Sequence, residues 1–153
     1  MRKSLLLTYF KIIIVIIVIL IGLYFLYNFV IKEYNEKEFE TVKTNMLLIQ
    51  AKTELIQQKV EIKEKDAKYI GTQLKEKKDE PAIQNLINNK IIDLESKDSN
   101  YYCLDNNNLK ELGLEEISIS NYYIVDYKKN DIIYIDGILN ENGVVVYKLS
   151  EMK

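Results

Sequence analysis

The sequence predicts an α+β protein in which a long N-terminal helix, first transmembrane and then amphipathic, packs on a small C-terminal antiparallel β-sheet. Three observations predict it. An almost unbroken apolar run fills residues 12–31, and an apolar stripe with helical spacing fills 39–60. From Tyr122 onward, tyrosine and β-branched residues gather between turn signals. The implied organisation is a short tail (1–11), a transmembrane helix (12–31), an amphipathic continuation (32–70), and a small α+β domain ending in a β-meander (71–153).

The run IIIVIIVILIGLYFLYNFVI carries no charge, and its twenty residues at about 1.5 Å each span the ~30 Å of a bilayer's hydrocarbon core. Tyr24, Tyr27 and Tyr34 cluster at one end and Tyr9 and Phe10 at the other, where interfacial aromatic residues belong. Lys11 can snorkel to the headgroups. A cleaved signal peptide has a shorter apolar core and a small-x-small site, which YNFVIKEYNE does not offer, so a retained anchor is expected. Basic residues divide evenly between Arg2, Lys3 and Lys11 before the run and Lys32, Lys37 and Lys43 after it. The first three have no compensating acids, which favours a cell-membrane protein with its N-terminus cytoplasmic and its C-terminal domain extracytoplasmic.

No Gly or Pro interrupts residues 32–66, which are rich in good helix formers. Phe39, Val42, Met46, Ile49, Thr53, Ile56 and Val60 make the helix packing face, and Leu47, Leu48 and Leu55 are read as widening it. Gly71 is the expected helix stop. Residues 72–81 read as a solvated loop, and Pro81 opens a short helix through Ile83, Leu86, Ile87 and Ile91. Tyr101–Leu104 suits a short strand. Asn107 or Asn108 is expected to cap a turn from Leu109 to Leu112, closed by Gly113 with Leu114 packing beyond it. Strands are expected at Tyr122–Tyr127, Ile132–Asp136 and Val144–Leu149, the last after the Asn142-Gly143 turn.

Composition excludes much chemistry. The chain has no His, no Trp and one Cys. An intrachain disulfide, a Cys/His zinc site and a Ser-His-Asp triad are therefore ruled out. Setting aside Arg2, Lys3 and Lys11 leaves 18 basic against 23 acidic residues in 32–153, a net of −5 that argues against nucleic acid. Asp126, Asp131 and Asp136 are weak calcium candidates, with solvated turn and edge charges the simpler reading. Asp105–Glu116 misplaces the ligands and glycine of a calcium loop, and an Asn-rich turn explains it better. Cys103 reads as a small buried residue. The tyrosines at 101, 102, 122, 123, 127, 134 and 147 suit cross-strand packing more simply than a sugar-stacking face. No cofactor is expected, and no catalytic residues stand out.

The stretch TVKTNMLLIQAKTELIQQKVE followed by YIGTQL resembles the membrane-distal half of the long helix in the type IV pilin and pseudopilin family, together with that helix's exit. LKELGLEEISI followed by YYIVDYKKNDIIYIDG resembles the short turn and hairpin of pilin-like proteins. The resemblance implies a non-enzymatic structural or accessory subunit of a pilus-like, type II secretion-like or DNA-uptake pseudopilus assembly. Its partners would be membrane lipid and other pilin-like subunits, with self-association open. Two family features are not matched: no Gly precedes Gly22, where a peptidase leader would end, and no Glu precedes Glu33, where the family's helix carries one. The alternative is a bitopic coiled-coil scaffold of the cell-division or envelope type, dimerising along the 39–60 stripe.

Overall fold

The computed structural model describes the backbone of residues 2–117 and 122–152, with side chains from Tyr9 onward. The side chains of Arg2 and Lys3, and the end of the LKELGLEEISI segment, lie outside the described residues. The chain forms two compact units, Met1–Lys37 and Glu38–Lys153. Its elements run α1 (Arg2–Glu61), β1 (Thr72–Gln73), a 3-10 turn (Leu74–Lys77), α2 (Pro81–Asn88), β2 (Tyr101–Leu104), α3 (Asn106–Glu111), β3 (Tyr123–Asp126), β4 (Asp131–Leu139), β5 (Val145–Lys148) and a closing 3-10 turn (Leu149–Glu151).

The first unit is helical from Arg2 onward, so the described part of the stretch expected as a tail is the start of α1. Its described side chains through Ile31 are exposed, and an 18-residue window reaches a mean hydropathy of 2.8 with none of it buried. By length and composition this helix can cross a membrane. Where the apolar run ends, Glu33 meets Lys37 at 2.8 Å and Lys32 faces Glu36 at 3.7 Å. Such i,i+4 pairs favour continued helix.

The second unit is an α+β fold. Its described residues form five antiparallel strands that lie in chain order, β1 to β5. Side chains alternate across the sheet because successive residues of a strand face opposite ways. Leu104, Tyr123, Val125, Ile132, Ile138 and Val146 join Phe39, Val42, Met46 and Ile49 of α1, with Leu109 and Leu112, in one core. Cys103, Ile124, Ile133 and Ile135 point the other way and pack with Leu74, Ile83, Leu86 and Ile92. The long helix thus covers one face of the sheet and α2 with its flanking turns covers the other, a layering that buries both apolar faces.

Helix α1 ends at Glu61, not at Ile70. The Glu64 N–H donates to Lys59 O (3.0 Å) and the Lys63 N–H to Val60 O (3.1 Å), with Lys63 left-handed at φ 55°. That is a Schellman end made without glycine. Helix α2 closes the same way at Lys90 (φ 58°), and α3 at Gly113 with Leu114 beyond it. The cap of α3 is Asp105 rather than Asn107 or Asn108: Asp105 Oδ1 accepts from the Asn108 N–H at 2.9 Å, and Asn108 Oδ1 accepts from the Asp105 N–H at 3.1 Å. Residues 72–77, expected as loop, hold β1 and the 3-10 turn, because Leu74 is buried among the charges. Lys77 holds that turn in place, donating to Glu80 (2.8 Å) and to the Tyr122 hydroxyl (2.9 Å).

The segment between α1 and β1 is fastened by one tyrosine. The Tyr127 hydroxyl donates to Ile70 O (3.0 Å) and accepts from the Ile70 N–H (3.2 Å), and its ring lies 4.4 Å from that of Tyr69. Burial pushes this phenol's pKa well above its usual value. Tyr127→Phe leaves both Ile70 backbone groups without that partner, so a loss of about 1–3 kcal/mol is expected. Thermal unfolding should register it, together with faster tryptic cleavage after Lys65 and Lys68. Unchanged cleavage would mean the clamp holds nothing.

Candidate functional site

The candidate site is the helical spine of the second unit with the sheet surface it organises. Phe39, Val42, Met46 and Ile49 are buried, and Ile56 and Val60 are half-buried toward the end of α1. Thr53, the polar member of the stripe, is also fully buried. Its hydroxyl donates back to Ile49 O at 2.9 Å, which satisfies it without a partner across the core. Gln50 donates to Asn130 O at 2.6 Å and so ties the helix to the β3–β4 turn. Leu47, Leu48 and Leu55 do not widen the buried stripe. They are exposed, because at 3.6 residues per turn they fall on the side of α1 turned away from the sheet.

Among the membrane-interface candidates, Tyr9, Lys11, Tyr24, Tyr27 and Tyr34 are all exposed on the helix of the first unit. The three aspartates do not converge. Asp126 and Asp131 are paired across the β3–β4 hairpin, but each is engaged by protein donors. Asp126 Oδ1 accepts from the N–H groups of Asn100 (2.8 Å) and Lys128 (3.1 Å). Asp131 accepts from Ile132 N (3.0 Å), Ser150 N (3.1 Å) and Ser150 Oγ (2.7 Å). Asp136 lies five positions further along β4 than Asp131, about 16 Å at 3.3 Å per residue. Among the described residues no three His, Cys, Asp or Glu side chains gather as a metal-binding group. Asp126 and Asp131 order the β3–β4 hairpin and its neighbours.

Cys103 is buried on β2, and that burial pushes its thiol up to about 12, so it is a neutral packing group at physiological pH. The tyrosines occupy both sides of the sheet. Tyr102, Tyr123, Tyr127 and Tyr134 belong to the α1 side, and Tyr101, Tyr122 and Tyr147 to the α2 side, so no single face collects them. Tyr123 is pushed up to about 12, chiefly by its burial. Surface grooves are open. One of about 490 Å³ lies between Gln50, Asn130 and Leu149, one of about 250 Å³ runs between Gln73–Lys75 and Leu94–Tyr101, and another of about 220 Å³ lies beside Asp126, Asp131 and Lys148.

Sequence reasoning assigns Gly71 the wrong role and Gly137 none. Gly71 stands immediately before β1, ten residues past the end of α1, rather than at a helix stop, and Gly137 (φ 67°) lies in a bulge where β4 slips register against β5 between Ile133 and Ile138. Neither has a local sequence signal, since both are dictated by the strand lying alongside.

Comparisons with protein-family models, with curated proteins and with solved structures find no match to this chain.

Proposed function

We propose that this is a single-pass membrane protein serving as a non-enzymatic structural or accessory subunit of a pilus-like, type II secretion-like or DNA-uptake pseudopilus assembly. One observation carries the reading: a helix apolar enough to cross a bilayer runs on, without a break, into the buried spine of a small antiparallel α+β unit. The anchor keeps the chain in lipid, and the sheet unit is the part offered to other pilin-like subunits on the extracytoplasmic side. A Glu in mid-span would cost roughly 2.5–3.5 kcal/mol in lipid, an expense that a partner must offset. This run has no acidic residue, so the chain is at ease in the bilayer and weakly driven to leave it. The envelope-scaffold alternative needs the 39–60 stripe for dimerisation, and Phe39, Val42, Met46 and Ile49 are taken up by the chain's own sheet.

The test uses the lone cysteine. In whole cells, after mild local unfolding to uncover Cys103, an impermeant thiol reagent should label the protein, and the protein should stay with the membranes until detergent is added. Labelling only after lysis puts the sheet unit in the cytoplasm and ends the pilin-like reading. Recovery of the intact chain without detergent ends the anchored one.

A further inference from the structure

Helix α1 carries a second apolar line that the fold leaves uncovered. Leu48 and Leu55 recur at a seven-residue interval on the side away from the sheet, with exposed Ala51 between them and Leu47 alongside. Leu47 and Leu48 are each 47 % exposed and Leu55 is 56 % exposed, whereas Met46 and Ile49 beside them are at 0 %. Scattered exposed leucines are ordinary on a protein surface. From Lys52 to Glu61 the charges flanking this line are sorted by sign, which is not.

At 3.6 residues per turn, Glu54 and Glu61 fall on one flank of the line and Lys52 and Lys59 on the other. None of the four has an ion-pair partner among the described residues; Glu61 is held only by Gln57 Nε2, at 2.9 Å. Two such helices side by side in parallel bring Glu54 of each copy to Lys59 of the other. Laid antiparallel, they set Glu against Glu and Lys against Lys. The pattern therefore selects the orientation as well as the seam.

We propose that this face pairs with a second copy of the same chain, in parallel, through Leu48, Ala51 and Leu55 with Glu54–Lys59 contacts on either side. Copies inserted in one bilayer enter with the same direction, so the inference rests on the anchored reading above. A seam of about two heptads falls short of the 1,200–2,000 Å² that stable interfaces bury in solution. Confinement to the membrane raises the effective concentration and makes a weak pair sufficient. The pairing leaves the core stripe on its own sheet, which distinguishes it from the envelope-scaffold alternative.

The experiment is oxidative crosslinking of the full chain in membranes, on a Cys103→Ala background, with single cysteines introduced along α1. Leu48→Cys, Ala51→Cys and Leu55→Cys should give disulfide dimers, and Gln57→Cys, off the line, should not. Crosslinking through Leu55→Cys should fall about fivefold with Glu54→Lys, as expected for opposed surface charges, and return when Lys59→Glu is added. Equal dimer yield at Gln57→Cys and Leu55→Cys, or no response to the charge reversals, overturns the proposal. So does a membrane-inserted chain that never crosslinks, and that outcome leaves the anchor standing. A chain recovered without detergent removes the anchor and the parallel pairing together.

Discussion

Replacing Ile49 with alanine is expected to destabilise the Glu38–Lys153 unit by about 2–5 kcal/mol, the range for removing a fully buried aliphatic side chain. Ile49 is completely buried between α1 and the sheet, among Met46, Val125 and Ile132 of the same core. The cavity left behind has rigid neighbours on both sides, because the strand residues are held by pairing on each edge. Leu48→Ala removes as much apolar volume one position away, from a half-exposed site, and should cost less than about 0.5 kcal/mol. Guanidinium unfolding of the full chain in micelles, followed by near-ultraviolet dichroism of its tyrosines, measures both. Domains of this size hold only about 5–15 kcal/mol in total, so the first variant should show a clear drop in midpoint. If the two variants unfold alike, α1 does not pack on the sheet through the 39–53 side, and the fold assigned to the second unit is wrong.

That contrast also marks how far the sequence can be read. Periodicity located the buried side of α1, because Phe39, Val42, Met46, Ile49 and Thr53 keep a helical interval and nothing breaks the backbone between them. At 3.6 residues per turn Leu48 and Leu55 fall well off that stripe, so the second, outward line was legible in the spacing although apolar character alone does not distinguish the two, and burial separates Leu48 from Ile49. The meander was legible from Tyr and β-branched runs, but its edges were not. Asp131 reads as a turn residue, yet it pairs with Asp126 and begins β4. Helix ends were hidden for a different reason. Lysine seldom takes a left-handed backbone, so a search for Gly or Asn passes over Lys63 and Lys90. Of the candidate site, the aspartates were legible as charges near a hairpin. Their engagement with backbone N–H groups and Ser150 depends on contacts across the fold, which residue order does not encode locally.

Gly71→Ala is expected to cost about 3 kcal/mol or more, a sum of two separate penalties. The backbone there has φ 111°, outside the region open to residues with a side chain, and a conformation of that kind costs about 1–3 kcal/mol by itself. A Cβ would also sit 2.6 Å from the carbonyl oxygen of Cys103 and 3.3 Å from its carbonyl carbon. Those are backbone atoms of the strand that pairs with β1 through Thr72 and Cys103, so the conflict is relieved only by moving β1 off the sheet. Gly143→Ala is the control: its φ of 72° imposes a backbone penalty, but a Cβ there meets nothing within 4 Å, and about 1 kcal/mol is expected. Thermal unfolding of the two variants gives the difference. A second readout tests the mechanism, because displacing β1 uncovers its partner Cys103: thiol labelling without added denaturant should accelerate in Gly71→Ala and stay at the wild-type rate in Gly143→Ala. Equal unfolding temperatures for the two variants, with Cys103 equally slow to react, would show that β1 does not lie against β2 and that the sheet ends one strand earlier.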